Sequence, residues 1–171
     1  MFRLYRCGIF ANLWSSLIML FAKQIEFIEN FEKTIFEVLQ KTINDNDFVI
    51  KDYIINKQLF REGIDGTGKK ITPLKGKTQN GFYARLTIKL KKEKGDPTDR
   101  VTLRDTGEFY AHIQVDAFSD RFEISSNVSH DKKIIERYGI DVLKVTHENL
   151  SEFMQKYFIK NLKDHVDKTS K

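Results

Sequence analysis

The sequence predicts an α+β fold, an antiparallel sheet packed by long amphipathic helices at its N-terminal and C-terminal ends. Three observations carry this. From Lys23, Ile28, Phe31, Ile35, Val38 or Leu39, and Thr42 or Ile43 recur at spacings of three and four, with Glu26, Glu29, Glu32 and Lys33 between them. After Thr146, Leu150, Phe153, Tyr157 and Leu162 make a second such stripe, widened by Met154 and Phe158. Between the helices, Ile113, Val115 and Ala117 alternate with polar neighbours. A turn at Ser119-Asp120 then leads to Phe122 and Ile124, the pattern of a hairpin.

At 171 residues, 40% hydrophobic and with 14 Phe, the chain is long enough and apolar enough for one domain with a real core. Its one cysteine, Cys7, excludes an internal disulfide framework and any cysteine-rich zinc module. The formal charge of +5 is concentrated: Lys69 to Arg104 holds eleven basic residues against Glu93, Asp96 and Asp99. Such a segment suits a phosphate backbone, an acidic partner surface or plain solvation, and no aromatic interleaving for base stacking runs through it.

Taken in order, residues 1–22 set Arg3 and Arg6 before an uncharged run from Cys7 to Ala22. This reads either as a signal-like or short anchor-like segment, or as an extension upstream of a start at Met19. At about sixteen residues the run falls short of the roughly twenty that span a bilayer. Residues 23–166 form the expected domain and 167–171 a polar tail, with fraying expected from Lys163. Asn44 to Asp47 should end the first helix. Phe48 to Ile55 is ambiguous between helix and strand, and Asn56 to Glu62 should add a helical turn or two before Gly63. Gly63, Asp65, Gly66 and Gly68 lie in a glycine-rich stretch best read as a structural turn. Phe82, Ala84, Leu86, Ile88 and Leu90 alternate as a strand would. Val101 and Leu103 suggest another strand, entering a turn at Asp105-Thr106-Gly107 where Asx chemistry and a residue free to take positive φ reverse the chain. Phe109 and Ile113 permit one helical turn after it. Asp131 should cap a short helix that Gly139 stops, and Thr146 should cap the last helix.

Catalytic signatures are absent. Gly63, Gly68 and Lys69 match part of a phosphate loop, but Lys70 stands where its hydroxyl belongs, Pro73 follows, and no buried strand precedes. A calcium loop fails because Asp65 is the one acidic residue in its first half and no glutamate closes it. There is no GxSxG or HExxH, and His112, His130, His147 and His165 lack ligand spacing. Asp105 and Glu108 are close in sequence, yet a turn and a solvated carboxylate account for them. The expectation is therefore a protein with no catalytic, cofactor-binding or metal-ligating set.

The order of motifs resembles a family. Asp65-Gly-Thr-Gly-Lys-Lys-Ile-Thr-Pro73-Leu74, Thr87 followed by Lys89 to Gly95, Val101-Thr-Leu-Arg-Asp-Thr-Gly-Glu-Phe109, Tyr138-Gly139 and Leu143 to Thr146 before a final helix are similar to the phage virion morphogenesis proteins, the tail-completion and head-tail joining group. The resemblance covers about residues 58–163. Ile71 stands where that family has tryptophan, Lys144 replaces a glycine, His112 stands where a small residue follows the turn, and Lys75 to Gly81 is inserted. The resemblance implies a non-enzymatic subunit of a ring at the neck or tail end, contacting portal-adjacent, neck or tail-tube proteins. It further implies residence in the virion, and in the host cytoplasm during assembly. It also makes Phe82 to Lys92 a helix where the alternation makes it a strand. Lys89, Lys91, Lys92, Lys94, Arg100 and Arg104 are the expected interaction surface, facing an acidic subunit or DNA in the channel. A basic nucleic-acid-binding module, or a membrane-anchored protein using residues 7–22, are the alternatives.

Overall fold

The computed structural model describes residues 8–72, 83–126 and 129–169. It is helix-rich around a two-stranded antiparallel sheet, the α+β class expected, with long helices near both ends. Arg3, Arg6, Cys7, Pro73, Leu74, the inserted Lys75 to Gly81, and Phe82 lie outside the described residues.

Helix α1 spans Gly8–Asp45, 38 residues and thus roughly 57 Å. It begins well before Lys23, so the expected boundary at 22/23 falls inside a continuous helix. Asn46 ends it through its N–H to Ile43 O and its side chain to Thr42 O. Helix α2 follows as Asp47–Asp52 and continues π-helically over Tyr53–Glu62, which resolves the ambiguity of Phe48 to Ile55 in favour of helix. The wider π turns end where Gly63, at φ +64, adopts a left-handed conformation.

The next unit is the glycine turn. Asp65 Oδ1 accepts from the N–H and hydroxyl of Thr67 and from the N–H of Lys69, so one carboxylate organises the loop as the composition suggested. Burial works to raise the Asp65 carboxyl, but these hydrogen bonds and the Lys69 charge outweigh it and hold it below its ordinary value. Gly66 has a steric reason to be glycine: its N–H donates to Asp141 O, and a Cβ there would lie 2.3 Å from Lys144 Cβ and 2.5 Å from Lys144 O.

Two strand expectations are corrected. Arg85–Glu93 is helix α3, not a strand, as the motif resemblance had it. Its alternating Leu86 and Leu90 are 68% and 47% exposed, while the row made by Thr87, Ile88 and Lys91 turns inward. Val101 to Arg104 is a loop with no strand pairing, held instead by bonds from the Tyr110 hydroxyl and the Lys91 ammonium to Thr102. At the turn, Gly107 sits at φ +93 as expected. Gly107 is the N-cap residue of the short helix α4, Glu108–Ala111, and the Thr106 hydroxyl accepts from the Glu108 N–H.

Strands β1, Ile113–Ala117, and β2, Phe122–Ser126, pair with Val115 opposite Ile124. The sheet is therefore narrower than the expected span from Val101. Helix α5, Ser129–Tyr138, holds buried Asp131 in its first turn, bonded to the Ser126 hydroxyl, and stops before Gly139. After a 3₁₀ turn at Ile140–Leu143, Thr146 caps helix α6 by accepting from the Asn149 N–H. Helix α6 runs His147–Phe153, through a π segment Met154–Phe158, to Ile159–Thr169, past the fraying point expected at Lys163.

The core gathers Ile43, Ile50, Ile54, Leu59, Phe109, Ile113, Val142 and Phe153 from α1, α2, α4, β1, the 3₁₀ turn and α6. Burying such side chains contributes about 1.5–3 kcal/mol each. Polar bonds set how the helices dock. The Asn161 amide donates to the Thr42 hydroxyl, joining α6 to α1, and the Gln40 amide donates to Ala117 O at the end of β1.

Candidate functional site

A cavity of about 370 Å³ lies beneath the basic segment, between α3, the loop from Asp96 to Asp105, and α5. Gly95 at φ +71 ends α3 and lets Asp96 turn back, its N–H donating to Lys91 O. The loop is then pinned by side chains. Tyr83 donates its hydroxyl to Arg100 O at 3.0 Å, Tyr110 donates to Thr102 O, and Lys91 Nζ donates to Thr102 Oγ1 at 3.0 Å. Leu103, on the cavity wall, is held at φ +53, a left-handed conformation that costs a branched residue roughly 1–2 kcal/mol.

Two charged residues are buried here. Lys91 stands over the Tyr83 ring, 5.0 Å from its centroid. Burial pulls its ammonium below the ordinary lysine value; Asp96 opposes this, and Lys94 and Arg104 add to it. The Asp96 side chain is only 1% exposed; Oδ1 accepts from Arg104 at 3.3 Å, and Oδ2 is buried without a hydrogen bond. Burial, with a smaller push from Tyr138, raises the Tyr83 hydroxyl to about 12. Because the Tyr83 and Tyr110 hydroxyls are committed to backbone carbonyls, the arrangement is suited to holding a polar group rather than to moving protons.

The expected interaction residues therefore split. Lys91 is buried, which corrects its place on a surface. Lys94 pairs with Asp105 at 3.0 Å, Arg104 pairs with Asp96 and lies over the Phe60 ring, and Arg100 pairs with Asp99 and donates to Arg61 O. Lys89 reaches Glu93 at 4.0 Å, and Lys92 is exposed. Much of the positive charge is thus already neutralised within the chain. Asp105 is engaged by Lys94, and Glu108 opens α4. Of the turn residues, Gly63, Asp65, Gly66 and Gly68 build the loop after α2, and Asp105, Thr106 and Gly107 lead into α4; the two turns make no common site. No cluster of metal-ligating residues occurs among the described residues. Sequence reasoning missed Asp96, Thr102 and Tyr83, and the usable signal was Gly95 followed by an acidic residue at the end of a basic stretch.

A second exposed feature is apolar. Met19, Leu20, Phe21, Ile25, Phe27, Ile28 and Phe31 on α1 are between 48% and 71% exposed, with Phe27 and Phe31 stacked at 6.3 Å. Among the described residues no helix is long and apolar enough to cross a membrane. Comparison with known proteins finds no matching family model, curated protein or solved structure.

Proposed function

We propose that this chain is a non-enzymatic virion assembly protein, a subunit of a ring at the phage neck or tail end that joins head and tail. The observation that carries the reading is the apolar surface of α1. Its seven side chains are 48–71% exposed, an apolar surface of the kind that marks a protein–protein contact. A neighbouring copy of the chain is its proposed occupant: Lys23 and Lys33 flank Glu26, Glu29 and Glu32 among the apolar residues, so two such helices offer each other both charges. The order of motifs adds the virion context, with other neck, portal-adjacent or tail-tube proteins as further partners. The site of action would be the virion, and the host cytoplasm during assembly. The internal pairing of Lys94, Arg100 and Arg104 favours this over a nucleic-acid module, which would present those cations to phosphates.

Light scattering and negative-stain imaging of the full chain test the proposal. Closed rings of one stoichiometry are expected. A strictly monomeric chain that also fails to associate with the products of neighbouring virion genes would contradict it.

A further inference from the structure

We propose that the cavity between α3 and the Asp96–Asp105 loop captures the C-terminal end of a protein chain, with Lys91 taking the terminal carboxylate and Asp96 the last backbone N–H. This inference uses no residue of the α1 surface and stands independently of the assembly reading.

The lining carries three cations and two carboxylates: Lys91, Lys94 and Arg104 against Asp96 and Asp105. Lys94 and Arg104 each have a carboxylate in contact. Lys91 is left with one hydroxyl acceptor and a ring face, although an ammonium has three N–H donors. Asp96 Oδ2 is its complement, a buried acceptor with no donor. A ligand completing both must supply an anion and an N–H. Phosphate brings no N–H for Asp96; a cation would meet Lys91; a sugar hydroxyl would leave the ammonium without a counter-charge. The end of a polypeptide has a carboxylate and an amide N–H on one Cα, and its side chain would rest on Leu90, Ile134 and Tyr138. The volume falls within the ~300–1,000 Å³ range of ligand sites.

The test titrates isotopically labelled full chain with N-acetylleucine, N-acetylleucinamide, free leucine and inorganic phosphate, following amide shifts. The expected result is saturable shifts at Lys91, Asp96 and Thr102 with N-acetylleucine, and binding about tenfold or more weaker with the amide, which lacks the carboxylate. Lys91→Met should abolish the response. Equal binding of acid and amide, no response to N-acetylleucine, stronger binding of free leucine, or the same shifts from phosphate would each overturn the assignment; these wild-type comparisons decide it even if the variant does not fold.

Discussion

Gln58 ties α2 to the start of α6. Its amide donates to Lys144 O at 3.0 Å, and its carbonyl accepts from the Thr146 N–H at 3.0 Å and from Asn149 Nδ2 at 2.9 Å, all within a fully buried setting. Replacing it with leucine keeps the volume but strands a carbonyl, an N–H and an amide. Gln58→Leu is therefore expected to cost on the order of 3 kcal/mol in urea unfolding, and a loss below about 0.5 kcal/mol would contradict this role. Nothing in the sequence marks Gln58, because its partners lie more than eighty residues away. Asp65, Gly107 and Thr146 were legible for the opposite reason: each acts on backbone within a few residues, and local turn and cap chemistry depends on residue type alone.

At the scale of elements, α3 shows where periodicity misleads. Its apolar residues alternate, yet Leu86 is left in solvent and half-exposed Leu90 stands at the cavity edge, while Thr87 and Lys91 turn inward, and a buried lysine is invisible to a hydrophobicity pattern. The amphipathic stripes of α1 and α6 were legible, but the π-helical stretches in α2 and α6 were not, since no residue type marks a switch to i→i+5 bonding. Those two stretches are clasped by Glu152. Hydrogen bonds from Lys156, then from Tyr53 and Lys57, hold its carboxyl down at about 2. A folded value below the ordinary 4.5 means that the stabilisation is present above about 4.5 and is lost as pH falls towards about 2. Glu152→Gln should thus lower the urea midpoint near neutral pH, with the gap to wild type closing through that acid window. A gap independent of pH would show that the charge is not responsible.

The whole molecule is asymmetric in what it covers. Helix α6 is packed along its apolar stripe, with Phe153 buried and stacked on Tyr157 at 5.3 Å, and the second half of α1 joins the core through Val38, Thr42 and Ile43. Between Met19 and Phe31, α1 carries its apolar residues into solvent. The α+β class was legible because the helical stripes and the hairpin each follow from short-range patterns. The outward course of α1 was not, since an amphipathic period shows that a face will be covered and not by which chain. In the proposed assembly a neighbouring copy covers this surface, and sedimentation velocity of the full chain beside the double variant Phe27→Glu, Ile28→Glu tests it. Both side chains are exposed within the subunit, so an assembled wild type and a monomeric variant with an unchanged melting temperature are expected. A variant that assembles as the wild type does would contradict it.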